Sequence, residues 1–260
     1  MRLLKEAVAI AKKAGDAIMD IYNSNDLGVT LKTDDSPLTK ADQAANKVII
    51  EGLSLVSNFP ILSEESKLVD YAERSKWQTF WLVDPLDGTK EFIKHNGEFT
   101  VNIALIRNGV PILGVVYAPA IERIYFALEG QGAYVQNGDA RPIMIKASDY
   151  HDQRLIVVAS RSHTGSDLQS FLDQLSDHDV ISMGSSLKIC LVAEGKAHLY
   201  PRLGPTMEWD TAAAHAIVIL AGGKLTDLAG ISLRYNKEDL LNPYFVVAGN
   251  PQYPWLRCFS

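Results

Sequence analysis

The stretch Phe80-Trp81-Leu82-Val83-Asp84-Pro85-Leu86-Asp87-Gly88-Thr89 changes character halfway along. Its four apolar residues read as a strand that delivers a carboxylate at its end. Pro85 cannot continue a ladder, a second carboxylate follows soon after, and Gly88 permits a tight turn. Two carboxylates held about 4 Å apart repel by roughly 4 kcal/mol at an effective dielectric near 20. A solvated turn would relax this by splaying them, whereas a partly buried site requires a cation. Oxygen-only donors suit magnesium or manganese, not zinc. The backbone N–H groups after Asp87 open segment 89–94, and a helix there would hold a phosphate oxygen at its N-terminus. An isolated Asp-Pro pair is usually a surface turn. A whole hexapeptide of this kind behind an apolar strand is not.

Three other acidic positions fit around it. Ser63-Glu64-Glu65 also ends an apolar segment, so Glu64 is a candidate to join Asp84 on one cation. In Glu208-Trp209-Asp210-Thr211, Asp210 is placed to N-cap the helix that follows, and a metal-bound Asp at a helix start can do both jobs. Asp42 lies at capping-box distance after Thr39, and the functional alternative makes it a base that positions water.

Outward from these motifs, Leu4, Ala7, Ala11, Ala14 and Ile18 recur at helical spacing, giving an amphipathic helix that ends near Tyr22. Segment 23–35 is polar and reads as a loop or short hairpin. A second helix is expected over 39–55, with Thr39 as its N-cap. Strand-like runs at 60–62, 79–83, 99–107, 111–117, 124–128 and 132–135 give two helices on a mainly antiparallel sheet. After about residue 147, strands (155–159, 180–182, 197–200, 245–248) alternate with helices (167–174, 186–194, 211–221), an α/β pattern. The expected organisation is an N-terminal α+β half, 1–147, with most candidate ligands, and a C-terminal α/β half, 148–260, contributing Asp210. A ligand site is expected where they meet.

Composition narrows the function classes. The chain has 260 residues, 47% hydrophobic, with a formal net charge of −6, which argues against wholesale nucleic-acid binding. Two cysteines, Cys190 and Cys258, make no disulfide framework. Cys190, in an apolar helical run, reads as a small buried hydrophobe. Charges interrupt the N-terminal apolar residues, so no signal peptide is expected, and no later segment is long enough to span a bilayer. A cytoplasmic protein is expected, with peripheral contact at the inner membrane left open.

Taken in order, Ser36-Pro37-Leu38-Thr39-Lys40-Ala41-Asp42, Ser63-Glu64-Glu65, Asp84-Pro85-Leu86-Asp87-Gly88-Thr89 and Trp209-Asp210 resemble the inositol-monophosphatase superfamily of lithium-sensitive phosphatases. The resemblance runs from about Gly15 to Asn250. It implies a layered αβαβα sandwich of the inositol-monophosphatase/fructose-bisphosphatase type, with about two or three Mg2+ ions between its halves and Mn2+ as a substitute. It implies that Glu64, Asp84 and the Leu86 carbonyl hold one metal, and Asp84, Asp87 and Asp210 a second. Asp42 and Thr89 would orient the attacking water, with help from Glu64. The substrate would contact Glu64, Leu86, Asp87, Gly88, Thr89 and Asp210.

Within that superfamily, Lys90-Glu91-Phe92-Ile93, Ser160-Arg161-Ser162-His163, Gly184-Ser185-Ser186-Leu187-Lys188 and Tyr200-Pro201-Arg202 are similar to bacterial 3'(2'),5'-bisphosphate nucleotidases. A bisphosphorylated nucleotide carries one phosphate that the metals do not engage. Lys188 and Arg202 supply charge for it, with Ser185 or Ser186 and His163 as neutral donors. The bland alternative is a solvated lysine on a helix face and a surface arginine. The implied activity is magnesium-dependent hydrolysis of the 3'-phosphate of adenosine 3',5'-bisphosphate, or of its 5'-phosphosulfate relative, in support of sulfate assimilation. An inositol or other sugar phosphatase would share the metal core. A non-catalytic metal and nucleotide sensor would have no need of a positioned water.

Overall fold

The run Thr79–Asp87 forms one continuous strand, and its residues from Phe80 to Leu86 are all buried. A strand apolar on both faces must be covered on both, so helices lie above and below its sheet. In chain order the helices are α1 (Arg2–Tyr22), α2 (Lys40–Val56), α3 (Tyr71–Arg74), α4 (Thr89–Ile93), α5 (Ser166–Leu172), α6 (Leu187–Ala193) and α7 (Glu208–Leu220). The strands are β1 (Thr30–Leu31), β2 (Pro37–Leu38), β3 (Ile61–Ser63), β4 (Thr79–Asp87), β5 (Thr100–Arg107), β6 (Val110–Ala118), β7 (Arg123–Leu128), β8 (Gly132–Asn137), β9 (Ile143–Ile145), β10 (Leu155–Ser160), β11 (His178–Met183), β12 (Leu199–Arg202), β13 (Lys224–Asp227) and β14 (Phe245–Ala248). This computed structural model describes residues 1–24, 26–31, 37–148, 154–160, 166–175, 177–249 and 254–256.

Among the described residues, β3 to β9 form a seven-stranded sheet in chain order, and β11-β10-β12-β14-β13 a five-stranded one. The first is antiparallel except where β3 runs parallel to β4. β1 and β2 make a short antiparallel pair, of which β1 alone falls in the polar segment 23–35. Alternation along the strands sorts side chains into three cores. Trp81, Val83, Val101 and Ile103 pack under α1 and α2. Phe80, Leu82, Ala104 and Val116 face the other way, toward Cys190 of α6, Ala213 and Ile217 of α7, and Val158 and Tyr200 of the five-stranded sheet. The far face of that sheet, with Val157, Leu199 and Val246, packs against Phe171 and Leu172 of α5. Helices, sheet, helices, sheet, helix is the αβαβα sandwich expected from the resemblance.

α7 is the middle layer. Its buried alanines, Ala212, Ala213, Ala214 and Ala216, let it lie directly on β6 at Gly114. A Cβ built at Gly114 would stand 2.1 Å from the Ala213 carbonyl oxygen and 2.9 Å from the Ala216 Cβ. The contact is backbone against backbone, which cannot relax by changing a rotamer. No helix of the described residues is long and apolar enough to cross a membrane. Cys190 is a buried free thiol, as expected, and Cys258 lies outside the described residues.

Gly114→Val should therefore wedge α7 off its sheet and lower the unfolding free energy by about 3 kcal/mol or more, measured by chemical denaturation. A loss under about 1 kcal/mol would mean that the helix–sheet seam is looser than described.

Candidate active site

The end of β4 is built to present carboxylates. Its register with β5 shifts between Asp84, opposite Asn102, and Asp87, opposite Thr100. The bulge follows from Pro85, which has no N–H to give the ladder. The Leu86 N–H instead donates to Asp84 Oδ1 at 3.0 Å. Gly88 then turns the chain at φ +91°, and a Cβ there would meet the Glu98 carbonyl oxygen at 3.1 Å. The helix expected after the turn is α4, one short piece over Thr89–Ile93.

Glu64 arrives because β3 runs parallel to β4, so both strands end on the same side of the sheet. Ser63 pairs with Val83, and the Glu64 N–H donates to the Val83 carbonyl at 3.2 Å. Asp210 arrives on α7. The helix starts earlier than its sequence pattern suggests, because Glu208 and Trp209 are buried parts of its first turn. Asp210 is thus its third residue, not its N-cap. Its Oδ2 accepts the Met207 N–H at 2.8 Å. Fully buried Glu208 anchors that turn, accepting the N–H groups of Asn236 at 2.6 Å and Lys237 at 3.0 Å and the Lys237 ammonium at 2.5 Å.

Glu64, Asp84 and Asp210 each offer an oxygen within 4.8 Å of the others, with Asp84 buried and the other two half-buried. Burial, then the charges of Glu64, Asp87 and Asp210, push the Asp84 carboxyl well above its ordinary value. Asp210 is raised as well, by burial and then by Asp87 and Glu64. Three hard oxygen donors that resist ionising together fit a divalent cation of the magnesium type.

Asp87 lies beside this triplet but is turned to a different partner. Its Oδ2 accepts the Ser186 N–H at 2.6 Å and the Ser186 hydroxyl at 2.9 Å. Asn102, fully buried, donates to Ser186 Oγ at 2.8 Å and takes the Thr100 hydroxyl on its other end at 3.1 Å. Sequence reasoning misses Thr100 and Asn102, since inward polar residues in an apolar strand carry no motif. Two polar residues buried in β5, opposite the carboxylates, are the available signal.

Asp42 serves two neighbours. Its Oδ2 closes the capping box on the Thr39 N–H at 2.7 Å and hydroxyl at 2.5 Å, while Oδ1 faces Thr89 Oγ1 at 3.4 Å. The Thr89 hydroxyl also reaches the Leu86 carbonyl at 3.3 Å.

These groups border a cleft of about 290 Å³ lined by Glu64, Asp87, Gly88, Thr89 and Asp210 on one side and Ser185, Lys188, Tyr200 and Arg202 on the other. Lys188 is buried, so the reading of a solvated helix-face lysine falls. Its ammonium donates to the Ser185 carbonyl at 2.6 Å and lies 5.7 Å from the centre of the Tyr200 ring. Burial lowers its pKa to about 8 against the raising effect of Asp87. Arg202 donates to the Pro205 carbonyl at 2.9 Å, and its Nε is buried without a hydrogen-bond partner. The two serines separate. Ser186 is held by Asp87 and the Asp210 carbonyl, whereas Ser185, at φ +46°, holds a buried hydroxyl with no partner against the cleft. His163 lies outside the described residues.

A sequence model of the inositol monophosphatase family matches residues 1–255, and the chain belongs to that family. It is similar to the Salmonella typhimurium protein named 3'(2'),5'-bisphosphate nucleotidase CysQ, at 50% identity over 94% of this chain and 99% of that protein. The protein of the same name from Haemophilus influenzae is 35% identical over 99% of this chain and 97% of its own length. Among solved structures, CysQ from Bacteroides thetaiotaomicron aligns with a TM-score of 0.85 at 47% identity, covering 95% of this chain and 97% of that one. The suhB protein of Bartonella henselae aligns at 0.83 with 25% identity, covering 100% and 99%.

The raised carboxyls make a stability prediction. A group whose folded pKa is raised gives stability that is present below its ordinary value, 3.8, and lost as pH climbs through the folded value. Metal-free protein should thus lose stability to its own carboxylates between pH 4 and pH 8, by about 1.4 kcal/mol for each tenfold rise in a carboxylate's proton affinity on folding. Asp84→Asn removes one charge at nearly constant shape. In thermal unfolding with EDTA it should exceed the wild type at pH 8 by about 1 kcal/mol or more, or about 2–4 °C, and not at pH 4. A variant less stable than the wild type at pH 8 would show that repulsion is not the dominant force there.

Proposed function

We propose that this chain is a magnesium-dependent phosphatase that hydrolyses the 3'-phosphate of adenosine 3',5'-bisphosphate, giving AMP and phosphate. One observation carries the reading: a single cleft is lined by the carboxylates Glu64, Asp87 and Asp210 on one wall and by buried Lys188 and half-buried Arg202 on the other. That pairing suits a small substrate with two anionic groups, one held through cations and one directly. An inositol monophosphate has only one. The names of the relatives at 35–50% identity point the same way.

Glu64, Asp84, Asp210, Asp87 and the Leu86 carbonyl would hold the magnesium. When bound, the ions neutralise the phosphate oxygens and stabilise the attacking and leaving oxygens of an in-line displacement. The chain supplies placement. Thr89 Oγ1 accepts from the attacking water and hands its own proton toward Asp42 Oδ1, which keeps the water's lone pair aimed at phosphorus. Asp42 can do this because its other oxygen is fixed by the capping box and cannot turn away. The N–H groups at the Gly88–Thr89 turn face the phosphate oxygens. As the bond from phosphorus to the ribose 3'-oxygen breaks, that oxygen takes a proton from solvent water, offsetting the one the attacking water gives up, and leaves as the hydroxyl of AMP. No covalent link to the chain forms.

On the far wall, Lys188, Arg202 and Ser185 would hold the 5'-phosphate. With its pKa near 8, Lys188 is mostly protonated at neutral pH, and a bound dianion draws it further that way. The unpartnered Arg202 Nε and Ser185 Oγ gain acceptors at the same moment.

Phosphate release from purified protein with Mg2+ tests this directly. Adenosine 3',5'-bisphosphate should be preferred over inositol 1-phosphate, and Asp87→Asn should abolish turnover. Lys188→Ala should raise KM for the bisphosphate by about 10–100-fold, matching a charged hydrogen bond of about 1.5–3 kcal/mol. Adenosine 3'-monophosphate, which lacks the 5'-phosphate, should change by less than about threefold, well under the expected loss of a charged contact. Preference for inositol 1-phosphate would overturn the substrate assignment, and release from neither would overturn the activity.

A further inference from the structure

Ser186 stands where the two walls of the cleft join. Its N–H and its hydroxyl both reach Asp87 Oδ2, at 2.6 and 2.9 Å. The same hydroxyl lies 2.7 Å from the Asp210 backbone carbonyl, and Asn102 donates to it at 2.8 Å. A hydroxyl has one proton, so Ser186 Oγ donates to Asp87 or to Asp210 but not to both at once. Asn102, its own amide oxygen held by Thr100, fixes the acceptor side of Oγ and leaves that choice to the proton.

The peptide group between Ser185 and Ser186 extends the connection. Its N–H end binds Asp87, and its carbonyl end accepts the Lys188 ammonium at 2.6 Å. A peptide is a rigid plane, so a tilt at one end is felt at the other. The preceding residue, Ser185, is held at φ +46°, a region a serine enters only when its surroundings force it. Ser186 is buried at 3% exposure, and its bonds run to other groups of the chain.

We propose that Ser186 is a positioning residue that couples cation occupancy at Asp87 and Asp210 to anion binding at Ser185 and Lys188. With a cation held by Asp87 and Asp210, any shift of the Asp87 carboxylate would change which acceptor takes the Ser186 proton. The shared peptide then re-aims the Ser185 carbonyl and with it the Lys188 ammonium. This rests on the reading above, in which both walls serve one substrate. Linkage makes the coupling reciprocal: the anion must tighten the cation by the same factor.

The test measures binding, not turnover. The probe is 3'-deoxyadenosine 5'-monophosphate, which lacks the oxygen that the cations would engage. Its affinity is measured by calorimetry with EDTA and with saturating Mg2+, at about 0.5 M salt to screen attraction through solvent. In the wild type, Mg2+ should tighten the probe by about tenfold, within the usual range of coupling between sites. Ser186→Ala keeps the backbone N–H and removes the shared proton. There the tightening should fall below about threefold, outside most of that range. A purely structural role would weaken each ligand alone and leave their ratio intact. Asn102→Ala frees the hydroxyl from the other side and should lower the ratio too, which keeps the test alive if Ser186→Ala does not fold. Equal ratios in wild type and variants, or a ratio of one in the wild type, overturn the coupling and leave the proposed activity standing. A wild type that never binds the probe overturns the 5'-phosphate subsite and this inference together.

Discussion

Repulsion among Glu64, Asp84 and Asp210 is the constraint around which the molecule is organised. Three carboxylates within 4.8 Å would fly apart on a flexible chain, so each is placed by a different rigid device. A parallel strand pair delivers Glu64, a proline-induced bulge delivers Asp84, and the first turn of a buried helix delivers Asp210. The three cores hold these devices in place. The fold thus stores electrostatic strain at the spot where a divalent cation relieves it, a common logic of functional sites.

Two of the proposed site residues also cap helices. Asp42 and Asp210 are both third residues of helices, and each spends one oxygen on the N–H of its cap residue, at 2.7 and 2.8 Å. That bond, and the positive end of the helix dipole, favour the charged form and fix the side chain. The other oxygen is left aimed at a defined point. The capping reading of Asp42 holds, and the same arrangement leaves its second oxygen facing Thr89. For Asp210 the sequence pattern puts the cap on the wrong residue, yet the physics carries over.

Much of this is legible in the chain. The strand before Asp84, the break at Pro85 and the turn at Gly88 are local, and local chemistry is what a sequence spells out. The long helices α1 and α2 announce themselves by periodicity. The start of α7 is misjudged because Asp210, just before the small apolar run 212–214, looks like an N-cap. Only the loop at 234–238, far along the chain, makes Glu208 a satisfied buried group. β9 and β13 are missed; each is a short edge strand, paired on one side alone, so half-exposed residues blur its pattern. Ser185 and Ser186 cannot be told apart by type. Their roles separate only when β4 and α7 meet at one of them.

The placement of Asp210 has a consequence for how the protein comes into being. Glu64, Asp84 and Asp87 leave the ribosome early, and α7 follows more than a hundred residues after them. A nascent or truncated chain that stops short of α7 carries an acidic knot with no opposing wall and an uncovered face of the seven-stranded sheet. Such a fragment lacks both Asp210 and the helix that shields Phe80, Leu82 and Ala104. An unfinished chain therefore exposes the very surface that the finished one hides.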